Sequence, residues 1–180
     1  AFEPSPAMRA VLDEAVRSAD LSNVVVVPER WEEADVEPAE LVFAAHVTYG
    51  IQLIEPFLRK IDRTARRAAA LVAFANPPQH VIAPFWKAVY GEERLRLPCR
   101  DELVDVLREL GAEPELIDLP PQGVRPFGTP EEAFSELRRR VYTGTGTPDE
   151  RRLRAAIPEL TVERDGELWP RAAKPNPMSI

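Results

Sequence analysis

Three apolar runs constrain this chain more than any other feature: "NVVVV" at 23–27, "LVFAAHV" at 41–47 and "AAALVAFA" at 68–75. Each is short, rich in β-branched or small residues, and free of polar alternation. A strand covered on both faces reads this way. Segments with helical spacing separate the runs. In "SPAMRAVLDEAVRSA" at 5–19, Ser5 can cap a helix and Pro6 suits its first position, while Met8, Val11, Leu12, Ala15 and Val16 form one stripe. Residues 51–66 place Ile54, Phe57, Leu58 and Ile61 on an inner face. A short helix near 82–90, a helix at 100–110 stopped by Gly111, and a fourth strand in "PELIDL" at 114–119 continue the series. Alternating helix and buried strand predicts an α/β fold with a mainly parallel sheet.

Beyond residue 130 the rhythm changes. Two charged helices, about 130–142 and 148–156, flank "TGTGT", which reads as a flexible connector. "LTVERDGELWP" predicts a hairpin turning at Asp165-Gly166, expected as the antiparallel end of the sheet. We expect one domain over 1–180, with 121–158 as a helical insertion or lid.

The net charge of −7 opposes a nucleic-acid surface, which needs a basic patch. No apolar run approaches the roughly 20 residues that span a bilayer, and the chain opens without a charged-then-apolar secretory pattern. Cys99 is the single cysteine, so no disulfide framework is expected, and His46 and His80 lack a shared helical spacing, so no metal site is expected. These readings predict a cytoplasmic protein acting on a small molecule, without membrane or nucleic-acid partners. They leave its oligomeric state open.

Glu3 follows an apolar pair and precedes a proline and a helix. In nucleotide-binding α/β sheets an acid at the end of the second strand accepts hydrogen bonds from ribose hydroxyls, downstream of a glycine-rich turn. Here all eight glycines lie at position 50 or later. The expectation is therefore a chain that lacks its first strand and turn and opens inside a supersecondary unit.

"FEPSPAMRAVLDEA", "VVVVPERWEEADVEPAELVFAAHVTYGI" and "IEPFLRKIDRTARRAAALVAFANPP" together resemble class I S-adenosylmethionine-dependent methyltransferases, most closely the bacterial small-molecule type. The likeness covers residues 1 to about 120, and the tail fits more loosely. It implies a Rossmann-like three-layer sandwich of seven strands, the last antiparallel, here N-terminally incomplete. It also implies S-adenosylmethionine as cofactor and a small-molecule methyl acceptor. Glu3 would take the ribose, Pro4 and Met8 would shape the turn beneath the adenosine, and Arg30 and Trp31 would border the adenine. Ala45 and His46 end a strand at the edge where ligands bind. Small residues there admit the cofactor, and a histidine with near-neutral pKa can serve as a general base. Tyr49, Phe85 and Trp86 would border the acceptor. Two other readings stand beside this one: an NAD-dependent oxidoreductase, which also uses an acid like Glu3, and a degenerate non-catalytic interaction domain. Neither a Tyr-x-x-x-Lys nor another hydride-transfer constellation is visible.

Overall fold

The structure, a computed structural model, describes residues 1–171 and 173–180. It is an α/β protein with six α-helices and a mixed four-stranded sheet among the described residues. The helices are α1 (Pro6–Ser18), α2 (Ile54–Thr64), α3 (Ala83–Tyr90), α4 (Arg100–Glu109), α5 (Pro130–Arg140) and α6 (Pro148–Leu160). The strands are β1 (Ala39–Ala45), β2 (Ala65–Phe74), β3 (Asp118–Gln122), β4 (Thr161–Arg164), β5 (Glu167–Pro170) and β6 (Asn176–Ser179). The sheet runs in the order β1-β2-β6-β3, and β4-β5 form a separate hairpin. The chain divides into two compact units, residues 1–43 with 52–70 and residues 44–51 with 71–180.

In the first unit, α1 starts as its sequence dictates, with the Ser5 hydroxyl accepting from the Met8 N–H and Pro6 at the opening position. Its apolar stripe is not buried: Met8 and Val11 are exposed and no residue of the helix is fully covered. The unit's core forms instead around α2, where Phe57, Leu58 and Ile61 are buried. Phe2 and Phe57 both set edges against Trp31, with ring centroids 5.4 and 6.5 Å away. The "NVVVV" run corrects the expectation of a buried strand. It makes one isolated parallel bridge, Phe2 to Val27, and Val25 is 73% exposed. A β-branched run becomes a central strand only when strands pair along both its edges, and here pairing is confined to the first residues of the chain.

β1 and β2 run through both units. They occupy the "LVFAAHV" and "AAALVAFA" runs, but Leu41 and Phe43 are more than half exposed, and β2 is buried only at Val72–Phe74. Contrary to what apolar composition alone implies, neither strand is therefore buried on both faces along its length. In the second unit, β6 pairs antiparallel with both β2 and β3, so β2 and β3 run parallel to each other. The antiparallel strand expected at 161–170 is therefore β6, while 161–170 folds as a hairpin apart from the sheet. The hairpin's turn is as read: Asp165 and Gly166 have φ of 52° and 79°, the left-handed pair that a tight two-residue turn requires.

The fourth strand lies four residues beyond its expected start and contains Pro120-Pro121. β3 is an edge strand, where a missing N–H is tolerated. Its register slips between Leu119, opposite Met178, and Gln122, opposite Asn176, so two prolines face Pro177 in a bulge.

The main core of this unit lies among α3, α5, α6 and the hairpin. It joins Ile82, Phe85, Val89, Leu137, Val141, Leu153 and Leu168. Threonine side chains cap the starts of α5 and α6. Thr129 and Glu132 form a reciprocal box, and Gly128 sits at φ +91° where an added Cβ would meet the Glu132 carboxylate at 2.6 Å. At the other end of the core, Arg171 donates to the carbonyls of Glu159 and Thr161 at the end of α6. The "TGTGT" connector is tied down, with the Thr147 hydroxyl on the Gly144 carbonyl and Arg138 on the Thr145 hydroxyl. No helix among the described residues is long and apolar enough to cross a membrane.

Candidate functional site

Because β2 and β3 run parallel, their carboxyl ends share one edge of the sheet, the edge where open α/β sheets bind ligands. In the second unit that edge carries the end of β1 at Ala45-His46, residues 75–82 after β2, residues 123–127 after β3, and residues 173–176 leading into β6.

His46 is held there in an uncommon backbone conformation, φ +59°. Left-handed backbone is costly for most residues and less so for histidine. Its N–H still donates to the Val72 carbonyl at 2.9 Å. The imidazole stacks on Phe74, centroids 4.1 Å apart and 14° from parallel, and its Nδ1 lies 3.0 Å from the Tyr49 hydroxyl. Tyr49 is buried, and its oxygen accepts the Phe74 backbone N–H at 2.8 Å. That leaves the phenolic proton one acceptor, His46 Nδ1. The partner set thus assigns the proton of the neutral ring to Nε2, on an exposed side chain. Partial desolvation of the ring lowers the His46 pKa below its ordinary value, which favours the neutral form. Burial raises the Tyr49 phenol, partly offset by the Phe74 N–H, with the Cys99 thiol adding a smaller upward push. The floor of the cluster is Cys99, Leu97 and Met178. Cys99 is itself buried and its thiol pushed up mainly by desolvation, so it is a packing group.

Three cavities, of about 320, 310 and 240 Å³, open along the same edge, and His80 lines all three. Its Nδ1 donates to the Pro77 carbonyl at 3.0 Å, because a carbonyl can only accept, and in the neutral ring Nε2 is then an acceptor. Asn176, almost wholly buried, ties the start of β6 to the end of β2: its Oδ1 accepts from the Asn76 backbone and side chain and its Nδ2 donates to the Asn76 carbonyl.

The sequence-predicted residues divide between the units. Glu3, Pro4, Met8, Arg30 and Trp31 belong to the first. The Glu3 carboxylate accepts the Ser5 N–H through Oε1 at 2.8 Å, and Oε2 makes no hydrogen bond among the described residues. Pro4 lends its carbonyl to Arg9, and Met8 is exposed. Trp31 is fixed by Phe2, Phe57 and the Lys60 ammonium 5.0 Å over its ring, and its Nε1 is buried without a partner. Arg30 is exposed in the turn before it.

Ala45, His46, Tyr49, Phe85 and Trp86 belong to the second unit. His46 and Tyr49 come together as described. Phe85 is a core residue, 1% exposed and edge-on to Phe127, and reaches only the wall of the 320 Å³ cavity. Trp86 packs on Tyr90 beneath Arg94. Sequence reasoning missed Phe74, His80, Asn176 and the cations near them. The signal for the first three was present, since each lies within six residues of a carboxyl strand end or of β6. No protein-family model matches this chain, and no match is found among curated proteins.

Proposed function

We propose that this protein transfers a methyl group from S-adenosylmethionine to a small-molecule acceptor. The observation that carries the reading is the strand order of the second unit. β6 runs antiparallel between two strands that are parallel to each other, as the resemblance to class I methyltransferases leads one to expect of the last strand.

The first unit's residues fit the nucleoside part of such a cofactor. Glu3 Oε2 is a free carboxylate acceptor for ribose hydroxyls, and Trp31 Nε1 is a buried donor of the kind a purine ring nitrogen satisfies. The bound cofactor would supply an electrophilic methyl on a sulfonium, whose departure leaves a neutral thioether. Such a reaction needs alignment more than proton transfer. His46 suits that demand. With Nδ1 occupied by Tyr49, Nε2–H is a donor that can orient an oxygen of the acceptor, so in the resting tautomer the ring positions rather than deprotonates. Ala45, small and half-buried beside it, leaves room for approach.

Calorimetric titration of the full-length protein with S-adenosylhomocysteine and, separately, NAD tests the reading. Binding of the first and not the second is expected. Glu3→Gln should weaken it by about 1.5–3 kcal/mol, the usual worth of hydrogen bonds to a charged group, or about ten- to hundred-fold in Kd. Binding of NAD alone would replace the proposal with an oxidoreductase, and binding of neither with a non-catalytic domain.

A further inference from the structure

We infer that the cavity between the β3–α5 loop and the segment leading into β6 binds the anionic group, carboxylate or phosphate, of a small organic ligand. The inference that this ligand is the methyl acceptor rests on the function proposed above. The anion site itself does not.

The cavity, about 310 Å³, is near the lower bound of ordinary ligand pockets and suits a small molecule. Its charged lining is Arg125, Arg140 and Lys174 against Glu136 alone. Glu136 is committed to Arg140 at 2.8 Å. Arg125 and Lys174 have no carboxylate partner among the described residues, in a chain with 30 acidic and 23 basic side chains. With acids in excess, two unpaired cations facing one concavity are an electrostatic sink for an anion. Lys174 also lines the neighbouring 320 Å³ cavity, whose lining holds no acidic residue. The Arg171 guanidinium there is consumed by backbone carbonyls of 158–161, so it does not compete.

The remaining walls define the rest of the ligand. Val81, Val124, Pro126 and the buried Phe127 give an apolar surface, and His80 offers Nε2 as an acceptor beside it. The expected ligand is therefore a carboxylate or phosphate on a short apolar body. Its placement beyond the carboxyl ends of parallel β2 and β3 is the general ligand position of this architecture.

Benzoate and phenyl phosphate serve as probes, with benzamide as the uncharged control, in amide-shift titrations of the full-length protein. Both anions are expected to shift Gly123, Phe127 and Asn176 saturably, and benzamide at least ten-fold more weakly. The double substitution Arg125→Gln, Lys174→Gln should weaken the anions about ten-fold or more, whereas Arg67→Gln, an exposed change in the first unit, should not. Equal binding of benzamide would overturn the site, and so would shifts located elsewhere or insensitivity to the double substitution. A folded amide spectrum of each variant separates loss of binding from loss of structure. The S-adenosylhomocysteine titration separates the two claims. Anion binding without cofactor binding keeps the site and removes methyl transfer, and the converse keeps methyl transfer and removes the site.

Discussion

Replacing Tyr49 by Phe removes one oxygen and keeps the ring that lies nearly parallel to Phe74, 6.4 Å between centroids. Two hydrogen bonds vanish. The one to His46 Nδ1 is cheap, because the exposed imidazole can turn to water. The one from the Phe74 N–H is not, since Phe74 is 5% exposed and its amide is buried against the Tyr49 oxygen it donates to. An orphaned buried donor costs about 1–3 kcal/mol, and we take about 2. Local opening at Phe74 should then become about 30-fold easier, which its amide hydrogen-exchange rate reads directly. Urea unfolding should lose about 1 M in midpoint for a slope near 2 kcal/mol/M, with the slope unchanged. A Tyr49→Phe, His46→Ala cycle isolates the pair, and its coupling should stay below about 1 kcal/mol. Unchanged exchange at Phe74 would refute the hydrogen-bond assignment. Accelerated exchange across all of α4 would show that the ring, not the hydroxyl, was disturbed.

His46→Gly should be more stable than His46→Ala by about 1 kcal/mol in urea unfolding, because both lose the ring but only alanine keeps the cost of φ +59°. The same histidine gives a pH dependence. Partial desolvation depresses its folded pKa below 6.5, so the unfolded chain takes up the proton first, and stability present above pH 6.5 is lost as pH falls through 6.5 towards the folded value. His46→Gln should flatten that part of the curve, and an unchanged curve would mean the ring titrates normally. Thr129→Ala should cost about 1 kcal/mol by removing the cap on α5, measured by thermal unfolding. Gly166→Ala should cost a similar amount through its φ of +79°, and equal stability would mean the hairpin turn has relaxed.

The helices were legible because their signals are local. Ser5-Pro6, Thr129-Pro130-x-Glu132 and Thr147-Pro148 each announce a start within four residues, and all three start where expected. The Asp165-Gly166 turn is equally local. Strand burial was not legible, because it depends on distant partners. "NVVVV" looks more strand-like than "NPMS", yet the first makes one bridge and the second is the strand that joins β2 to β3. Pro120-Pro121 concealed β3 for the same reason, since only the edge position makes two prolines tolerable. At the site, His46 and Tyr49 were each visible as candidates, but their mutual hydrogen bond follows from the left-handed turn at His46 and the Phe74 amide across the strand. The cations at 125 and 174 are brought to one cavity by β3 and β6, a pairing that local pattern does not encode.

That pairing also orders events in time. A ribosome delivers β2, then β3, then β6, and until β6 arrives the other two strands have no hydrogen bonds to each other. The asparagine clamp between residues 76 and 176 closes over 100 positions of chain. Such remote closure slows folding and leaves strand edges open meanwhile. The helical cluster of α3, α5 and α6, complete before β6 is made, can form first and hold the sheet's exposed edges near each other. Stalled or truncated translation products ending before residue 176 should therefore carry a formed helical core beside an unzipped sheet, and be the species that chaperones and proteases meet.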